Sequence, residues 1–110
     1  MLEVLPDNTI KLTRGDTAYI DVPIITEDTG EVYQLQPNDE LTLGLKRNVK
    51  EKVCCLQKTI KGSNVFKIVP EDTSGLDFGT YKYDVQLTTT DGDVFTVVNN
   101  AIFMVKPEVV

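Results

Sequence analysis

The chain has 110 residues, with 17 acids against 11 Lys and Arg, no His, no Trp and a formal net charge of −6. That length holds one domain with a single core. The acidic balance lacks the basic footprint of a nucleic-acid binder, and without His no Ser-His-Asp or Cys-His site can be built within the chain.

Helical periodicity is lacking, and short alternating runs are broken by Gly, Asp, Asn and Pro, the spacing of an all-β protein. Residues 1–8 read as a lead-in. A first strand is predicted over 9–13, with Ile10 and Leu12 inward, and Arg14-Gly15-Asp16 turns the chain. The next strand starts at Thr17 and places Ala18, Ile20, Val22 and Ile24 on one face. Pro23 lies in that run without an N–H for a ladder, so a bulge or an unpartnered side is expected there. Residues 27–31 form a polar hairpin turn with Gly30 late in the loop. A short returning strand covers 32–35, and Gln36-Pro37-Asn38-Asp39 is a corner. The strand over 40–47 points Leu41, Leu43 and Leu45 inward.

Residues 53–60 form a strand of mixed faces, because Lys58 shares its side with Cys54, Leu56 and Ile60. Such a strand suits a sheet edge, where pairing with another chain is a hazard. Lys61-Gly62-Ser63-Asn64 is a turn, and Phe66 and Ile68 are the inward residues of the following strand. Pro70-Glu71-Asp72-Thr73-Ser74 predicts one helical turn, with Pro preorganised for its first position and acids at its positive end. Gly75 ends it. Asp91-Gly92, at the centre of Thr90-Asp91-Gly92-Asp93, predicts a tight two-residue hairpin. The last strand runs over 94–98, breaks at Asn99-Asn100, and resumes over 102–106.

The organising stretch is 76–87. Tyr81, Tyr83, Val85 and Leu87 alternate with Thr80, Lys82, Asp84 and Gln86, the pattern of a central, half-buried strand. Asp77-Phe78-Gly79-Thr80-Tyr81 resembles the tyrosine corner of immunoglobulin-like sandwiches, in which a Tyr hydroxyl bonds back to the main chain at the entrance to strand F. The position two residues on is Tyr83 rather than Cys, which removes the disulfide of antibody domains. These elements together predict an all-β, immunoglobulin-like antiparallel β-sandwich of seven to nine strands, with at most one helical turn, as a single domain over residues 1–110.

Candidate chemistry has a plainer explanation in each case. Arg14-Gly15-Asp16 spells an integrin-binding tripeptide, but a turn accounts for all three residues. Glu27, Asp28 and Glu31, and Asp91 with Asp93, are acidic clusters that lack the spacing of a calcium loop and carry the residues turns prefer. Cys54-Cys55 has no His to activate a thiol, and a bridge between adjacent cysteines closes almost no loop. Tyr81 and Tyr83 are explained by corner and core roles. No catalytic, cofactor-binding or metal residue is assigned, and no enzyme activity is expected. No apolar run reaches the length of a membrane span, so no membrane insertion is expected. Residues 1–7 lack the basic segment and apolar stretch of a secretion signal, so synthesis and retention in a cytoplasm are expected.

Ile10-Lys11-Leu12-Thr13-Arg14-Gly15-Asp16-Thr17, Gln57-Lys58-Thr59-Ile60-Lys61-Gly62-Ser63, and Pro70-Glu71-Asp72-Thr73 with 76–87 together resemble small immunoglobulin-like proteins of phages and prophages of Gram-positive gut bacteria. Over roughly residues 9–105 the chain is similar to the N-terminal module of the phage baseplate upper protein family. The resemblance implies a non-enzymatic tail or baseplate component of the virion, assembled in the bacterial host cytoplasm. Its partners would be other phage structural proteins, or copies of itself meeting at the edge strand 53–60. Proteins of that family usually continue into helical or fibre segments, whereas this sequence stops at Val110; a stand-alone accessory protein and one domain of a longer protein both fit. The alternative is a carbohydrate-binding or adhesion module of the same shape, for which Tyr19 and Tyr33 are the candidate exposed aromatics.

Overall fold

A computed structural model describes residues 2–25, 29–48 and 50–108. Among them are eight strands and one short helix: β1 (Leu2–Val4), β2 (Ile10–Thr13), β3 (Ala18–Asp21), β4 (Glu40–Lys46), β5 (Leu56–Lys61), β6 (Val65–Ile68), α1 (Pro70–Ser74), β7 (Gly79–Thr88) and β8 (Val94–Lys106). One sheet has the order β1-β2-β8-β7-β4-β5, and a second consists of β3 and β6. The chain therefore changes layer between β2 and β3, β3 and β4, β5 and β6, and β6 and β7. With β3 and β6 as B and E, and β4, β7 and β8 as C, F and G, this is the strand order of an immunoglobulin-like sandwich. All ladders are antiparallel except β2 with β8, which is parallel, Ile10 facing Phe103.

Inward positions follow the alternation. Ile10, Leu12, Leu41, Leu43, Leu45, Phe66, Ile68, Val85 and Phe103 are completely buried. Burying a Leu, Ile or Phe contributes about 1.5–3 kcal/mol each, so this shared interior is what holds two otherwise marginal sheets together. Tyr83 lies edge-on to Phe103 with ring centroids 6.1 Å apart.

Several elements differ from the alternation-based reading. The lead-in contains β1, paired antiparallel to β2 with Leu2 opposite Leu12. β3 ends at Asp21, which leaves Pro23 outside the ladder. The expected strand over 32–35 is a single bridge, Ile25 to Val32. The strand expected over 53–60 begins only at Leu56 and forms one edge of the large sheet. The Asp91-Gly92 turn is a three-residue loop: Thr89 N–H bonds Asp93 O at 2.8 Å and Gly92 N–H bonds Thr89 O at 2.9 Å. Gly92 takes φ +90°, the left-handed conformation that closes such a loop and that Gly adopts without a Cβ penalty.

The break at Asn99-Asn100 is a bulge within one continuous strand. Tyr83 faces Ala101 and Val85 faces Val98, so two residues of β8 oppose Asp84. Asn100 takes φ +52°, and its N–H bonds Asp84 Oδ1 at 2.5 Å; Asn tolerates that region better than most residues. A second irregularity at Val97 shifts the pattern again. Two shifts restore the parity, which is why Phe95, Val98, Ala101 and Phe103 all lie on the inner side of one strand.

Candidate functional site

Two of the three resemblance-bearing segments, 10–17 and 70–73 with 76–87, meet at one end of the sandwich, whereas 57–63 runs away from it to Gly62, whose N–H bonds Asp39 O. The Tyr81 hydroxyl donates to Asp77 O at 2.8 Å, the corner expected from Asp77 to Tyr81. Arg47 donates to that hydroxyl at 3.3 Å and to Asp77 Oδ2 at 3.4 Å. Burial raises the Tyr81 pKa, partly offset by the Arg47 charge. The Arg14 guanidinium donates to Leu76 O at 3.3 Å and Glu108 Oε1 at 2.9 Å, and lies 4.2 Å from the Phe78 ring centroid. Gly15, at φ +86°, donates its N–H to the buried Thr73 hydroxyl at 2.9 Å. Two residues of the Arg-Gly-Asp tripeptide thus clasp the first turn to α1 and the corner rather than projecting for recognition. Tyr81→Phe removes the hydroxyl but not the ring. Urea unfolding is expected to show a loss of about 1 kcal/mol, the usual net worth of such a bond. An unchanged midpoint would mean that the corner does not contribute to stability.

The opposite end is held by Asp39. Its side chain is fully buried and accepts four hydrogen bonds. Oδ2 takes the Tyr33 hydroxyl at 2.7 Å and Gln36 N–H at 3.0 Å. Oδ1 takes Thr90 N–H at 2.9 Å and the Thr90 hydroxyl at 3.0 Å. These donors, the Gln36 N–H first and the Tyr33 hydroxyl next, hold the Asp39 carboxyl below its ordinary value, and the same bond raises the Tyr33 phenol. The node was not singled out in the sequence, yet Asp39 has the parity of Leu41, Leu43 and Leu45, which marks it as inward. Tyr33, expected to point outward, is half-buried and committed to Asp39, whereas Tyr19 is 60% exposed.

Lys58 shares the inward side of β5, as its parity indicated, and reaches across to the second layer. Its Nζ donates to Lys67 O at 2.8 Å and to Asp72 Oδ2 at 2.5 Å. Asp72 Oδ2 also accepts Val69 N–H at the start of α1. An inward-pointing charge on an edge strand discourages pairing with a foreign strand, so this edge is better guarded than the sequence suggested.

Cys54 is half-buried and Cys55 exposed, both as free thiols. The Cys54 sulfur lies over Gly44, 3.1 Å from where a Cβ would stand. Beside it is a shallow depression of about 320 Å³ lined by Gly44, Lys82, Asp84 and Asn100, among others. Of the acidic clusters, Glu27 and Asp28 lie outside the described residues. Asp91 and Asp93 stand on the β7–β8 loop, and no group of three metal-ligating side chains occurs among the described residues. No helix of the described structure is long and apolar enough to cross a membrane.

Tyr83 is the most strongly perturbed phenol. Its hydroxyl donates to Asn8 O at 2.6 Å, and burial pushes its pKa up to about 12. A phenol harder to ionise in the folded state than in the unfolded chain, where it titrates near 10.0, favours folding at all lower pH. That stability is lost as pH rises from 10 towards 12. Alkaline titration followed by circular dichroism and tyrosinate absorbance is expected to show roughly 2–3 kcal/mol lost over that window, and Tyr83→Phe is expected to abolish most of it.

No protein-family model, curated protein or solved structure matches the chain.

Proposed function

We propose that this chain is a non-enzymatic structural protein of a phage or prophage tail or baseplate, located in the virion and acting through protein–protein contacts. The observation that carries this reading is the clasp. Segments distant in sequence that resemble the baseplate upper protein module, around Arg14-Gly15, Thr73 and 76–81, converge on one set of hydrogen bonds. Their polar groups hold the scaffold, and a scaffold of this kind meets its surroundings through its remaining surfaces. Large apolar side chains are exposed at the other end, among them Ile25, Val32, Val94 and Phe95.

Particles purified after prophage induction test this directly. Mass spectrometry is expected to find the chain at a fixed ratio to tail proteins, and immunogold labelling to place it on the tail or its base. Recovery only in the particle-free lysate would overturn the reading.

A further inference from the structure

The charge of this protein is divided. Six of its eleven basic residues lie within 46–61 alongside one acid, Glu51, and the other five are outnumbered by sixteen acids elsewhere. Four of those six, Lys46, Arg47, Lys50 and Lys52, sit at the corner end, whereas Lys58 is turned inward onto Asp72 and Lys61 stands beside Glu40 at the other end. β4 starts where β7 finishes, with Glu40 opposite Thr88, and runs to Lys46 at the corner end, where Arg47 meets Asp77. The connection between β4 and β5 therefore projects at the corner end, carrying exposed Lys50 and Lys52 beside Val53, which is 78% exposed.

The other end carries the arm bridged at Ile25 and Val32 and the loop between β7 and β8, held together by the Tyr33–Asp39–Thr90 bonds. Ile25, Val32, Val94 and Phe95 are each more than half exposed there. Phe95 lies on the inner side of the sheet opposite Leu87, beyond the cover of the two-stranded layer. Glu31, Asp91 and Asp93 are exposed around these side chains, with Lys61 beside Glu40 as a lone counter-charge among the described residues of that rim.

We propose that copies of this chain associate head to tail, the apolar, acid-rimmed tip of one copy seating on the basic, Val53-bearing β4–β5 hairpin of the next. Exposed apolar side chains gain by being covered, and opposite rims decide which surface covers them. Tip against tip would bring acid to acid. Joining opposite ends of one molecule makes the contact heterologous, so each added copy presents a fresh tip and a fresh hairpin, and the product is a ring or an open filament. The inference rests on reading the chain as an assembly protein and takes the partner to be the chain itself.

Sedimentation velocity of the purified chain tests it. In low salt the weight-average mass is expected to rise with concentration, and in about 1 M salt, where screening acts over about 3 Å, to fall back to the monomer. Asp91→Lys with Asp93→Lys, and separately Lys50→Glu with Lys52→Glu, are each expected to weaken association at least tenfold. All four changes in one chain restore complementarity, and association is expected to return, which misfolding cannot mimic. A wild type that stays monomeric at every concentration overturns the proposal, as does association indifferent to both salt and reversals, which would place the contact elsewhere. A monomeric chain that is nevertheless found in purified particles sinks this inference while leaving the proposed function standing.

Discussion

Asp39→Asn is expected to lower the melting temperature by on the order of 10 °C, the largest effect of any single polar change in the molecule. The carboxylate accepts at both oxygens, from Tyr33 and Gln36 on one side and Thr90 on the other. An amide keeps one acceptor and turns an N–H₂ group toward the donors on the other side. Those donors are then buried without partners, and the arm, the corner before β4 and the β7–β8 loop lose their common anchor.

The pH dependence has a defined sign. The folded-state pKa of Asp39 lies below the ordinary 3.8, so its contribution is fully present above that value and is lost as pH falls through the lower folded value. Melting curves are expected to show the gap between wild type and variant closing below about pH 4. A gap of less than about 2 °C at neutral pH would show that the node is not a structural anchor.

Phe103→Ala is expected to cost about 3–5 kcal/mol, a large share of the stability of a domain this size. The ring is completely buried, lies edge-on to Tyr83 and faces Ile10 across the parallel ladder, so its loss opens a cavity where β2, β8 and β7 meet. Phe95→Ala on the same strand is the control. That ring is 54% exposed, and its truncation is expected to cost less than about 1 kcal/mol. Similar shifts in urea midpoint for the two variants would contradict the assignment of Phe103 to the core and Phe95 to the tip.

The inward residues were legible because a strand alternates its side chains between two environments whatever its neighbours are. The same parity, followed one step before Leu41, marks Asp39, and followed along β5 it marks Lys58. A three-residue strand such as Leu2–Val4 is too short to show alternation, and it forms because β2 offers it an edge. The Asn99-Asn100 break was visible as a disturbance, but its nature as a bulge depends on Asp84 standing opposite.

Local sequence alone determined the all-β class and the core through alternation, the tyrosine corner through the resemblance carried by residues 77–81, and the helical turn through Pro70 and the acids after it, because each depends on residues within a few positions of one another. Only the tertiary structure decided that β2 runs parallel to β8, that Tyr33 and Thr90 share one carboxylate, that Lys58 crosses to Asp72, and that the Lys50–Lys52 connection and the Asp91–Asp93 loop stand at opposite ends. These joinings bring together groups from distant parts of the chain, and local preferences carry no information about which distant groups will meet when two sheets close on a shared interior.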